Sequence, residues 1–355
     1  MQVSFALVGI VLTCVTASAR AQSGWMLRAT GVPPARNGTT MAWDSAHGVC
    51  VMFGGVGAGN ELLGDTWSWD GAAWTVVPGD GPSARSYARL AYDEARGVFV
   101  LFGGRTDNTA ILTSAETWEL GSAGWTLRTS GGDHPGPRYV HGMAYDAARH
   151  VTVMFGGLTD AGDPSDGGTW EWDGVVWNKV ADTGPTARQG AGMCFDRERG
   201  VTVMFGGQEG ASSLVLSDTW EWTGRVWVQR TPATNVPTSR SYHAITFDEA
   251  HRVTILYGGY DPSVGQPYED TWVWDGHDWT PRNIAGPGPR TGHALAFDAA
   301  RGKAVLYAGN TFSAEPTAET WELELPLPCV ADINQDGFVS GDDFDTFLDH
   351  FEAGC

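Results

Sequence analysis

The chain has 355 residues, enough for one large domain or two ordinary ones, and 42 acidic against 22 basic side chains give it a formal charge of −20. It carries no basic stripe able to displace counterions from a phosphate backbone, which argues against a nucleic-acid partner; the acidity reads as a solvated exterior. Forty-eight glycines and 18 prolines call for many turns, and long amphipathic helices are hard to find before residue 341.

Residues 1–21 read as a cleavable export signal. An apolar run from Phe5 to Val15 leads into Ala19-Arg20-Ala21, with cleavage expected before Gln22, although no Lys or Arg precedes the run. The run is short for a bilayer span, which needs roughly 20 residues, and Thr13 is too bulky for a lipid-attachment site at Cys14. A secreted or cell-surface protein without a membrane span, acting as a monomer, is the expectation. Cleavage leaves Cys50, Cys194, Cys329 and Cys355. The first two lie in or beside inner strands, where a small thiol is ordinary packing. The last two bracket the end of the chain and are expected to pair in an oxidising compartment.

Residues 22–326 repeat one pattern six times. Glycine pairs end at Gly55, Gly104, Gly157, Gly207 and Gly259, and a sixth copy ends at Gly309 with Ala308 in the first position, a period of about 50 residues. In every copy an Arg stands eight residues before an Asp: Arg36/Asp44, Arg85/Asp93, Arg138/Asp146, Arg188/Asp196, Arg240/Asp248 and Arg290/Asp298. Each copy reads as four strands. Strand a runs up to the Asp, and strand b is a nearly unbroken apolar run such as "VTVMF", as in strands buried on both faces. Strand c alternates, as in "TWEW", and Asp173-Gly174 suits a two-residue type I′ turn into strand d at Trp177. Trp170 and Trp177 are the expected anchors of this outer hairpin.

Four-stranded sheets repeated around an axis make a propeller, since each blade buries its faces only against its neighbours. The ends fit this reading. Trp67, Trp118, Trp170, Trp220 and Trp272 each have a second Trp seven residues later, but Trp321 has Pro328 there. The N-terminal Trp25 lies eleven residues before Arg36, the offset of Trp74 to Arg85, so its strand should complete blade six and close the ring. The expected fold is all-β, a six-bladed propeller of four-stranded antiparallel blades with a small loop-helix tail.

The glycine pair, the later tryptophans and the period resemble kelch repeats over roughly residues 24–325, in a Trp-rich variant without the usual Tyr after the glycines. The resemblance implies the fold and leaves the activity open, because such repeats serve intracellular adaptors, secreted binding proteins and copper-radical galactose oxidases. The Cys–Tyr crosslink and Tyr/His copper ligands of the oxidases have no counterpart constellation here.

Antiparallel order puts the short a–b and c–d turns on one face and the variable b–c loops on the other. Recognition is expected on the loop face, with Tyr260 and Tyr268 as stacking candidates. Arg36, Arg85, Arg138, Arg188, Arg240 and Arg290 enter from that face. Two readings stand beside each other: a cationic ring for anions, or pairing with Asp65, Glu116, Asp218, Asp270 and Glu319 just before each "TW". The second is favoured, because a residue in every blade serves what every blade needs. His141, His243 and His293 recur three residues after an Arg and could in principle hold a metal, but blade three does not adjoin blades five and six.

Residues 327–355 carry the sharpest chemical signal. Asp332, Asn334, Asp336, Phe338 and Asp343 occupy positions 1, 3, 5, 7 and 12 of a calcium loop, Phe338 through its carbonyl, with Gly337 at the turn. The stretch resembles one half of a dockerin, which implies Ca²⁺ and a cohesin-like or cell-surface partner. A Cys329–Cys355 bond would steady so small a module by roughly 3 kcal/mol. The expected role is recognition of an extracellular glycan or protein, with calcium-dependent attachment. The alternatives are a carbohydrate-active enzyme, hydrolase or oxidase, and a structural surface protein.

Overall fold

A computed structural model describes residues 24–326 apart from 111, 129–133, 161–166, 211–213 and 314. The export signal, the calcium loop and Cys329 and Cys355 lie outside the described residues. Six antiparallel sheets surround one axis. Their innermost strands are Thr40–Asp44, Arg89–Asp93, Gly142–Asp146, Gly192–Asp196, Ala244–Asp248 and Ala294–Asp298. Each touches the next, and the sixth touches the first. Among the described residues no helix is long and apolar enough to cross a membrane.

The ring closes as the end offsets predict. Strand Gly24–Thr30 pairs with Glu319–Glu324 in the sixth sheet, Trp25 opposite Leu323 and Leu27 opposite Trp321. Trp25 then reaches into blade five, where its indole donates to Thr271 Oγ1 at 3.0 Å. Every other strand d begins with the same contact: Trp74 to Thr320, Trp125 to Thr66, Trp177 to Thr117, Trp227 to Thr169 and Trp279 to Thr219. Each strand d is thus bolted to the preceding blade by an indole at its start.

Two expectations need correction. The c–d connection is not a two-residue turn. Trp172 pairs with Trp177, so the loop is four residues long; Asp173 Oδ1 accepts the amides of Val175 and Val176, and only Gly174 takes a positive φ. A side chain that bonds its own backbone competes with the type I′ geometry. The second correction concerns the anchors. Trp177 crosses to the neighbouring blade as expected, but its fellow there is Trp172, the middle of the three tryptophans, and not Trp170, whose indole N–H makes no such bond; the counterparts Trp69, Trp222 and Trp274 cross likewise.

These middle tryptophans belong to a charged seam. In blade two Arg96 bridges Asp93 and Glu119; Glu119 also accepts Arg128 and, from blade three, the indole of Trp172. Arg149–Glu171–Trp222, Arg199–Glu221–Trp274 and Arg301–Glu322–Trp69 repeat it. Blades one and five differ. His47 and His251 replace the arginine, Ser68 and Val273 the glutamate, and Leu120 and Leu323 the next blade's tryptophan. There the seam is apolar, with Leu120 beside Leu90 and Leu101, and Leu323 beside Val273 and Ile255.

Toward the loop face the blades are laced by main-chain bonds. The second residue of each glycine pair donates its N–H to the carbonyl of the next blade's arginine, from Gly55 to Arg85 round to Gly309 to Arg36, at 2.9–3.0 Å. A Cβ on Gly54 would sit 2.5 Å from Arg85 O, so in this blade the first position also needs the bare backbone, whereas blade six accommodates Ala308 there. Blades one and four, opposite each other, extend strands b and c past the pair into raised hairpins, Val49–Gly57 with Leu62–Trp69 and Val201–Glu209 with Leu214–Trp222.

Candidate functional site

The six repeated arginines are buried in the frame. Each sends Nη1 to the carbonyl of the first residue in its glycine pair, at 2.9–3.2 Å, and Nε to the carbonyl two residues back. Arg36, Arg85, Arg188, Arg240 and Arg290 also meet Asp65, Glu116, Asp218, Asp270 and Glu319. Each of those acids also accepts the indole two residues on. Burial raises the Asp65 carboxyl, but bonds from Arg36 and Trp67 outweigh it and hold the group below the ordinary carboxylate range; Asp270 is held down in the same way by Arg240. The structural reading of the arginines is the one the geometry supports. Gly168 stands where blade three would carry its acid.

Two residues past each arginine the chain turns into the left-handed region, at Gly38, Tyr87, Val140, Gly190, Tyr242 and Gly292, with φ between 50° and 66°. Their amides form a closed collar around the channel mouth. Tyr87 donates to Gly38, Val140 to Tyr87, Gly190 to Val140, Tyr242 to Gly190, Gly292 to Tyr242 and Gly38 to Gly292, at 2.7–3.1 Å. The rings of Tyr87 and Tyr242 meet over the bore with centroids 6.0 Å apart. Their hydroxyls donate to Asn37 and Gln189, at the bases of the two raised hairpins. Burial raises both phenol pKa values, so both are neutral hydrogen-bonding groups.

Around this floor the loop face offers partly exposed Arg105, whose guanidinium carbon lies 5.6 Å from the ring centroid of buried Tyr139, and half-buried Tyr260. Apolar loop tips are bare: Leu112 at 50 %, Val264 at 50 % and Phe312 at 69 %. Tyr268, the other stacking candidate, is engaged instead by Arg240, whose guanidinium carbon lies 4.3 Å from its ring centroid. Asn108 donates to Asn60 O and Thr113 to Asp160, which ties the loops of the first three blades together.

The opposite mouth is bridged. Arg197 of blade four reaches across to Glu94 of blade two and sideways to Glu249 of blade five. Between the two mouths a girdle of Met41, Leu90, Met143, Met193, Ile245 and Leu295 separates an upper cavity of about 80 Å³ from a lower one of about 180 Å³. His141, His243 and His293 pack edge-on against Phe102, Phe205 and Tyr257, and burial holds each imidazole neutral, His293 down to about 3. Among the described residues no group of three or more His, Cys, Asp or Glu side chains is placed to hold a metal. Cys50 and Cys194 are buried free thiols, and burial pushes Cys194 up to about 12.

Sequence reading missed the collar, Arg105 with Tyr139, and Arg89, a channel residue described below. The signal for Arg89 is an exception within the repeat: it is the one long side chain at a position that is otherwise Thr, Gly or Ala.

No protein-family model and no curated protein matches the chain. Among solved structures 489 chains match, too wide a set to point to one activity. One is described as the structure of YjhT, which aligns with a TM-score of 0.64 at 14 % identity over 82 % of this chain and 96 % of that one. That likeness establishes the propeller fold.

Proposed function

We propose that the chain is an exported kelch-type recognition module whose loop face binds an extracellular glycan or protein without catalysis. The observation that carries this reading is the floor of paired tyrosines between two raised hairpins, with Arg105, Tyr260 and bare apolar tips beside it. Flat aromatic faces and apolar tips give contact area at little entropic cost, and a guanidinium fork orients a carboxylate or hydroxyl pair. A face bridged by Arg197 and built of short turns offers far less. The tail, through Asp332, Asn334, Asp336, Phe338 and Asp343, would add calcium-dependent attachment to a cohesin-like or cell-surface partner.

A glycan array probed with the mature chain tests the reading. Binding should fall about three- to tenfold in Tyr260→Ala and in Arg105→Ala, the loss of one stacking or forked contact. Released sugar or peroxide would instead identify an enzyme.

A further inference from the structure

We propose that the upper channel cavity is a site for one small monovalent anion, held by the guanidinium of Arg89. Four residues past the six clasp arginines stand Thr40, Arg89, Gly142, Gly192, Ala244 and Ala294. Five are small, so the strand-a ring leaves room into which a single guanidinium extends. Arg89 Nε donates to the carbonyl of His141 at 2.8 Å, which fixes the direction of the fork. The rest of the lining includes Thr40, Tyr87, Tyr242, His243 and His293 and contains no carboxylate.

That is unusual in this molecule. The seam arginines Arg96, Arg149, Arg199 and Arg301, and Arg197 across the turn face, each meet an Asp or Glu, in a chain with 42 acids. A guanidinium stays charged at any working pH, and a charge in a cramped cavity is costly unless something compensates it. A second observation points the same way. The imidazoles of His243 and His293, which line the same cavity, are neutral and have the backbones of Phe205 and Tyr257 as hydrogen-bond partners, so neither supplies the guanidinium with a counter-charge. A volume near 80 Å³ has room for a halide, nitrate or formate together with a few waters, and Arg89 stands on an inner strand, apart from the loop tips. The inference is therefore independent of the loop-face reading. A chain of charge −20 gathers few anions at its surface, so a saturable response reports the cavity.

The test is thermal unfolding of the full chain in sodium bromide or nitrate against sodium gluconate, at fixed ionic strength. The wild type should show a saturable rise of about 2–4 °C in the small anions. Arg89→Met should show none, while Arg197→Met, altered at the turn face, should keep it. An equal rise in Arg89→Met, or no rise in the wild type, overturns the proposal. Should Arg89→Met fail to fold, crystals of the wild type grown in bromide decide: an anomalous peak within hydrogen-bond reach of the Arg89 fork supports the site, and a cavity holding water alone overturns it.

Discussion

The seams joining blades two to three, three to four, four to five and six to one are ionic, whereas those joining one to two and five to six are apolar. Both kinds hold the same strands at the same depth. In the first, a buried glutamate gathers an arginine from its own turn and an indole from the next blade. In the second, Ser or Val, His and Leu fill the three places. No mixed seam occurs among the six. The lesson is that the unit of exchange is the triad: a buried carboxylate without its cation, or an indole without its acceptor, costs more than either complete solution.

The comparison can be broken at one residue. Glu221 is fully buried and accepts from Arg199, Arg230 and Trp274. Glu221→Ala should cost about 2–4 kcal/mol, since it leaves the Trp274 indole without its acceptor and takes a carboxylate from Arg199, which keeps Asp196, and from partly exposed Arg230. Val273→Ala, at the same place in an apolar seam, should cost about 1–3 kcal/mol. Replacing the whole triad, Arg199→His with Glu221→Val and Trp274→Leu, should return the protein to within about 2 kcal/mol of wild type. Urea unfolding measures all three; a triple variant no better than Glu221→Ala would mean the seams are not interchangeable.

Acid separates the seams next. Burial raises the Glu322 carboxyl, but Arg28, Arg301 and Trp69 outweigh it and leave its pKa below the ordinary 4.5. A carboxyl depressed in the native state stabilises it above the unfolded pKa, and that contribution is lost as pH falls through the native value. The buried histidines act earlier. The unfolded chain takes up their protons from about pH 6.5 while native His293 waits until about 3, so stability declines over that window in every variant. Unfolding midpoints between pH 7 and 3 should therefore fall for the wild type. They should fall less below pH 4.5 when the six–one triad becomes Arg301→His, Glu322→Val and Trp69→Leu. Identical acid profiles would deny the carboxylate its role.

The smallest effect concerns the sixth glycine pair. Ala308 sits at φ 68°, where the other five copies have glycine. Ala308→Gly should raise stability by about 0.5–1 kcal/mol, read as a slightly higher melting temperature. A loss instead would show that its methyl group, packed in the Tyr307 and Trp74 cluster, outweighs the strain.

Blade number and ring closure were legible because they rest on offsets: a missing tryptophan at one end and a surplus one at the other. The clasp arginines were legible as structure for the same reason. The turn type was not, because Asp-Gly serves equally a type I′ turn and an aspartate-capped loop. The seams were open to view three residues past each Asp, but only by comparing blades for what changes together. The collar left almost no trace, since its six positions hold Gly, Tyr and Val, and what they share is a backbone angle.

That collar and the glycine–arginine lacing outside it circulate in opposite senses. Collar amides point to the preceding blade, and lacing amides to the following one. A blade that slid or swivelled either way would have to pull against a neighbour, so the hub is locked against torsion like a rope laid in two opposed twists. Peptide groups, whatever side chains they carry, make both of its rings of bonds. Ring substituents such as Tyr87 and Tyr242 are therefore fittings on a fixed socket, and exchanging them alters what the mouth presents while the wheel beneath stays true.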